Sequence, residues 1–281
     1  MAFLINPARW RVKPGPDVEL DFRHPLTEGL VGCWVMNEWS GDTIVDHAPA
    51  GNHGAIVGDS VTRGLALPGP VLAMTGDNND HRVDLGSVAA GNPLMLDGDH
   101  VTWMWDATLS GFQNNAPRLI DKSTGGVGAN GWALYPINVG SVVWALAING
   151  SEYRLDPPGH SIGTRTRGAL TKEGTTRIVL RDPDQGAPYI EETSGIVPIP
   201  TATANAAIAN WNHATDRNWT GWLSHVYVWS RVLSAHEIAC MRAKPYAIFK
   251  PRARRKLYLP STFATAPTGE GQGIVVIAIA C

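Results

Sequence analysis

Trp219-Thr-Gly-Trp-Leu-Ser-His-Val-Tyr-Val-Trp-Ser-Arg-Val-Leu-Ser234 is the stretch that decides the fold class. Over Leu223 to Ser230, His225, Tyr227 and Trp229 fall on one face while Val226 and Val228 fall on the other, the period of two that an extended strand imposes. The pattern predicts a strand with one face in a core and the other at least partly exposed. After Ser230 the period changes. Ser234 followed by Glu237 has the spacing of a capping box, Ile238 and Met241 give an apolar stripe, and Pro245 stops the run, which together predict a helix over Ser234 to Ala243.

Upstream of this segment the same alternation recurs in short runs separated by Gly, Asn, Asp and Pro, and helical periodicity is nearly absent. The runs are Leu30 to Met36, Ala55 to Val57, Arg82 to Leu85, His100 to Leu109, Arg118 to Asp121, Gly131 to Pro136, Val142 to Asn149, Thr176 to Arg181 and Ala206 to Ala209. Many short strands with frequent turn signals predict an all-β sandwich or barrel. The composition agrees: 30 Gly and 20 Pro among 281 residues supply turns, and 11 Trp against 5 Phe mean that tryptophan must fill part of the core. Trp103 and Trp105, on one face with Val101, are assigned to that core.

With 17% charged residues and a net charge of -2, no global basic field marks nucleic acid as the partner. The three cysteines, Cys33, Cys240 and Cys281, lack metal-site spacing and are read as free thiols. MAFLINPARW carries no basic segment before its apolar run and is not a secretory signal, and Ile274 to Cys281 is too short to span a bilayer. The expectation is a soluble protein made in a cytoplasm, with no membrane partner.

The run Gly29-Leu-Val-Gly-Cys-Trp-Val-Met-Asn-Glu38, followed by Ser40-Gly-Asp42, Asp46 and Gly51-Asn-His-Gly54, resembles the opening of the laminin-G-like, concanavalin A-like lectin and glucanase superfamily. Trp219 to Ser234 with its Glu237 helix is similar to the closing strand and helix of that superfamily. The resemblance implies a jelly-roll sandwich over residues 29–243, preceded by an extended Pro-rich arm (1–28) and followed by a basic, strand-forming extension (244–281). The family's central strand pair is hard to place between Gly159 and Ile199. His24-Pro-Leu-Thr-Glu-Gly-Leu-Val-Gly32 and Pro245-Tyr-Ala-Ile-Phe-Lys-Pro251 resemble segments of laminin-G-like proteins encoded by tailed bacteriophages. With that second resemblance, the missing secretory signal, the Pro-rich N-terminal arm and the basic, strand-forming C-terminal extension favour a virion protein made in a host cytoplasm, and compactness without coiled-coil or repeat patterns favours a head-associated decoration protein. Its implied partners are the major capsid protein, other virion proteins and further copies of itself; the alternative is a carbohydrate-binding module or a tail or fibre component that recognises a surface glycan.

Catalytic motifs fail on context. Gly159-His-Ser-Ile-Gly163 spells a nucleophile elbow, but prolines precede it and no helix comes after it. Gly126-Val-Gly-Ala-Asn-Gly131 spells a dinucleotide loop, but Trp132-Ala-Leu-Tyr135 directly behind it reads as strand, so a hairpin loop is expected. The glucanase triplet E-x-D-x-x-E does not occur, and Glu191 and Glu192 would point to opposite faces of a strand. No enzyme and no obligatory cofactor are expected. Calcium is considered at Asp77, Asp80 and Asp84, and at Asp42, Asp46 and Asn52, against the simpler use of Asp and Asn as turn formers. Sugar contacts are assigned to the loop residues Trp211, Asn212, His213 and Trp219. Attachment to the particle is assigned to Arg252, Arg254 and Arg255 and to the apolar Ile274, Val276 and Ile277. Arg242 to Lys256 holds seven basic and no acidic residues. With Tyr246, Ile248 and Phe249 as apolar anchors, the stretch is read as docking onto an acidic protein surface in preference to nucleic acid.

Overall fold

The computed structural model describes residues 11–66, 69–75, 80–112, 116–157, 161–182, 187–201, 203–211 and 217–250. Seventeen strands and one α-helix lie among them. The first six strands are β1 (Leu30–Trp34), β2 (Thr43–Ile44), β3 (Gly54–Val57), β4 (Val61–Ala66), β5 (Gly69–Met74) and β6 (Arg82–Val88). Then come β7 (His100–Phe112), β8 (Ile120–Lys122), β9 (Trp132–Asn138), β10 (Val142–Ile148) and β11 (Ser151–Leu155). The rest are β12 (Arg165–Thr166), β13 (Ala169–Glu173), β14 (Arg177–Asp182), β15 (Ala187–Glu192), β16 (Ala204–Ile208) and β17 (Trp219–Trp229), followed by α1 (Ala235–Ala243). One antiparallel sheet runs β15-β14-β13-β7-β17-β5-β4, with β12 also paired to β7 and β1 to β17; the other runs β11-β10-β9-β8-β16-β6-β3-β2. This is the expected all-β, concanavalin A-like jelly roll. Every run read as a strand is one, with shifted ends. Between Gly159 and Ile199, where Thr176 to Arg181 was read as a strand and is β14, the structure adds β12, β13 and β15, and Lys172 and Glu173 break the apolar alternation of β13.

The core between the sheets is built on tryptophan. Trp34, Trp103, Trp105 and Trp219 come from the first sheet and Trp132 and Trp144 from the second, and all six are at most 1% exposed. Trp105 and Trp144 rings lie 4.3 Å apart, Trp103 and Trp132 5.4 Å, and Trp144 and Trp219 6.5 Å, all tilted. Two glycines make room for this packing. A Cβ on Gly168 would sit 2.1 Å from the Trp105 ring. Gly221, with φ +137°, lets β17 bulge against β7, where a Cβ would stand 2.0 Å from the Thr108 carbonyl oxygen.

The outer face of β17 differs from expectation, because His225, Tyr227 and Trp229 are buried as well. The cover is α1, through Ile238 and Met241, together with Tyr246, Ile248 and Phe249 from the segment behind it and Val18, Leu20 and Leu26 from the N-terminal stretch. The capping box that starts α1 is formed in both directions between Ser234 and Glu237. Residues 11–28 are not one extended arm: turns and a short 3-10 helix, Pro25–Thr27, interrupt them, and Val18, Leu20 and Leu26 are laid onto the sheet. Leu20 bridges to Phe249, and Lys250 N–H donates to the Glu19 carbonyl at 2.7 Å. Tyr246, Ile248 and Phe249 thus serve as anchors on their own sandwich, which corrects their assignment to a partner's surface. Arg252, Arg254, Arg255, Ile274, Val276 and Ile277 lie outside the described residues. No helix among the described residues is long and apolar enough to cross a membrane.

Candidate functional site

Where α1 ends on the first sheet, the described residues enclose a cavity of about 370 Å³. Its floor is the outer face of β7 and β17, where register sets His225 opposite Asp106 and Tyr227 opposite Met104. Its walls are Arg165 from β12, Arg167 just after it, Met241 and Arg242 from the end of α1, and Arg11. Among the described lining residues there are four arginines and one carboxylate, Asp106. Period two puts Met104, Asp106 and Thr108 of β7 on the face opposite Trp103 and Trp105, which is how a strand so rich in core tryptophan also delivers a charge to this cavity.

Asp106 is 1% exposed and is held by Arg165 in a two-pronged ion pair, Nε to Oδ1 at 2.8 Å and Nη2 to Oδ2 at 2.5 Å. Arg242 donates through Nε and Nη2 to the Arg167 carbonyl at 3.1 and 2.9 Å, which pins the end of α1 to the strand connection. His225 stacks on Tyr227 with ring centroids 4.6 Å apart, and its Nδ1 is buried without a hydrogen-bond partner among the described residues. Tyr227 donates its hydroxyl to the Pro245 carbonyl at 3.1 Å. The Lys13 ammonium donates to the carbonyls of Met36, Pro70 and Ser224, and burial pulls its pKa down to about 7 against the attraction of Asp106 and Glu38.

Burial lowers the His225 pKa to about 4; Asp106 opposes the shift, and Lys13, Arg165 and Arg167 add to it. The folded pKa lies below the ordinary 6.5, so the unfolded chain takes up a proton that the folded chain refuses. This contribution to stability is present above pH 6.5 and is lost as the pH falls through the folded value, by about 3 kcal/mol in all. An NMR titration should show the His225 ring unchanged from pH 8 to 5, and a midpoint near 6.5 would contradict the buried, cation-flanked setting.

The residues assigned from sequence do not converge on this cavity. Trp219 is 1% exposed, with its indole N–H donating to the Thr108 carbonyl at 3.1 Å, so it is a core residue and not a sugar contact. Trp211 is half-buried and donates to the Ser123 carbonyl at 3.4 Å, and Asn212 and His213 lie outside the described residues. Asp80 and Asp84 both bind the Arg82 guanidinium, Asp84 at 3.3 Å, so an arginine stands where the cation was expected. Asp77 lies outside the described residues. Asp46 accepts the backbone N–H groups of Cys33, Ala48 and Asn52 at 2.8 to 2.9 Å, the turn-forming use of aspartate. Among the described residues no group of three or more His, Cys, Asp or Glu stands together as metal ligands would. Gly126 to Gly131 is the loop between the paired strands β8 and β9, as expected. The cavity residues were missed because Asp106, Arg165, His225 and Arg242 are scattered over 137 positions of sequence. The out-of-pattern polar residues inside the apolar strands β7 and β17, Asp106 and His225, were the available signal.

Fold and site define a jelly-roll sandwich with an arginine-lined cavity on the outer face of one sheet. No family model matches the sequence, and no curated protein matches it. Solved structures do share the fold. Domain 4 of AbnA, an extracellular GH43 arabinanase from Geobacillus stearothermophilus, in complex with arabinotriose, aligns with a TM-score of 0.54 at 12% identity over 75% of this chain and 97% of that one. The binding domain of botulinum neurotoxin DC in complex with SialylT gives 0.54 at 13% identity over 77% of this chain. Trypanosoma rangeli sialidase in complex with the inhibitor DANA gives 0.54 at 12% over 78%. The chain spans about half of the toxin domain structure and a third of the sialidase.

Proposed function

We propose that this chain is a non-catalytic glycan-binding module. The observation that carries the reading is the cavity beside α1, of a size that holds a small ligand, in which apolar side chains such as Met104, Met241 and Pro245 stand beside polar groups. Solved structures of the same fold that hold sugar ligands support the glycan as ligand class. Support for a binding role over hydrolysis comes from the groups themselves. Asp106 is the one carboxylate among the described lining residues and is engaged on both oxygens by Arg165, whereas a glycosidase of the common kind needs two carboxyls. Tyr227 has its hydroxyl on the Pro245 carbonyl and its pKa raised by burial, the reverse of an activated nucleophile.

The setting we propose for the module is a bacteriophage particle, as a head-associated decoration protein beside the major capsid protein and further copies of itself. The support is the resemblance of residues 24–32 and 245–251 to phage-encoded sandwiches. Glycan-array binding by the full chain, with no new reducing ends after incubation with the bound polysaccharide, is the expected result. Sustained release of oligosaccharide would overturn the non-catalytic reading. Absence of the chain from purified particles would overturn the virion setting.

A further inference from the structure

We infer that His236 and Cys240, on the outward face of α1, are a half-site for zinc or a metal ion of similar chemistry, and that two copies of the chain complete it by bringing these faces together. Cys240 has no second cysteine at ligand spacing, but His236 stands four residues before it. Residues four apart on a helix lie one above the other on the same face. Both are exposed, on the side of α1 opposite Ile238 and Met241, which pack onto the sheet. The Cys240 Sγ lies 3.6 Å from the His236 Nε2. Two donors on one tetrahedral zinc, with Zn–S about 2.3 Å and Zn–N about 2.0–2.1 Å, stand about 3.5–3.6 Å apart. Thiol and imidazole therefore already hold the separation of two ligands on one ion, and both are donor types that zinc takes and that calcium or magnesium does not.

A structural zinc takes four such ligands, and α1 supplies two. Glu237, the one acidic residue of α1, is not a third, because its two oxygens are engaged by Arg231 and by the Ser234 cap. No group of three or more ligand side chains stands together among the described residues. A second copy related by a two-fold axis through the ion would double the pair into a tetrahedral set of two sulfurs and two nitrogens, the set that zinc favours. The helix face permits that approach. Ala239 and Ala243 are exposed on the same stripe and carry nothing beyond Cβ, so a second α1 meets no bulky side chain from them. On binding, each thiol gives its proton to solvent and coordinates as the thiolate, and the metal keeps its oxidation state.

The test is titration of the reduced full chain with cobalt(II), whose thiolate complexes absorb where the metal-free protein does not, followed by displacement with zinc. The expected result is a thiolate-to-cobalt charge-transfer band with the strong visible bands of a tetrahedral ion, saturating at one metal for every two chains and abolished by zinc. Sedimentation should show the mass doubling with zinc and returning to that of one chain with EDTA. His236→Ala and Cys240→Ser should each weaken binding about tenfold or more, the least that losing a direct ligand costs, without moving the melting temperature of the metal-free chain. Cys33 and Cys281 remain in both variants, so a charge-transfer band that survives Cys240→Ser would overturn the assignment. Absence of the band from the unsubstituted chain would overturn the site itself. Saturation at one metal per chain with an unchanged mass, or a dimer that forms equally well in EDTA, would overturn the bridge between copies. Paramagnetic broadening of NMR signals by cobalt, expected at Ala239 and Ala243 in the unsubstituted protein, locates the ion without any variant; broadening centred elsewhere would overturn the location even if both variants fail to fold.

Discussion

Deletion of residues 1–24 is expected to unfold the sandwich instead of trimming an arm from it. The deletion removes Val18 and Leu20, which are 8% and 2% exposed beneath Tyr246, Ile248 and Phe249. Full burial of such side chains contributes about 1.5–3 kcal/mol each. It also removes the carbonyls of Pro14 and Gly15 that accept the Asn37 side-chain N–H groups at 3.1 and 2.9 Å, leaving a buried amide short of partners at about 1–3 kcal/mol. The sum, of order 5 kcal/mol or more, approaches the whole stability of a typical domain. Urea unfolding of the full chain and the truncation should differ by a large fall in midpoint, or the truncation should be insoluble. An unchanged midpoint would show that residues 11–24 are a detachable arm after all, as their composition alone predicts.

Trp144→Ala should be the most damaging single substitution in the core, at about 3–5 kcal/mol. Trp144 projects from β10 of one sheet between Trp105 and Trp219 of the other, so its removal opens a void at the sheet–sheet contact that three rings now close. Packed sheets cannot collapse onto such a void without shifting whole strands, which places this site at the costly end of the range. Trp39→Ala is the control: Trp39 is 61% exposed, and its loss should move stability by no more than about 0.5 kcal/mol. Similar effects from both substitutions, read as denaturation midpoints, would contradict a core closed by tryptophan. The same reasoning applies to Trp219, whose truncation would report folding instead of sugar contact.

Much of this protein was legible without coordinates because the signals are local. Period-two alternation placed β1, β7, β9, β10 and β17, and the spacing of Ser234 and Glu237 marked the start of α1, since side-chain direction in a strand and the reach of a capping side chain depend on near neighbours alone. The strands β2, β4, β5, β11 to β13 and β15 were missed, β13 because residues such as Lys172 break the alternation: its buried side chain pairs with Asp99, a carboxylate 73 positions earlier. Long-range packing made the N-terminal stretch part of the body. Val18 and Leu20 have no period of their own and become core residues because Tyr246 to Phe249 return over the same sheet. It also made the cavity, since Asp106, Arg165, His225 and Arg242 share one site through strand pairing and the landing of one helix, and no short-range pattern encodes either. Local pattern dictates which residues extend and which face of each strand is apolar; the cover on the second face, and the cavity beside it, come from contacts between segments far apart in the chain.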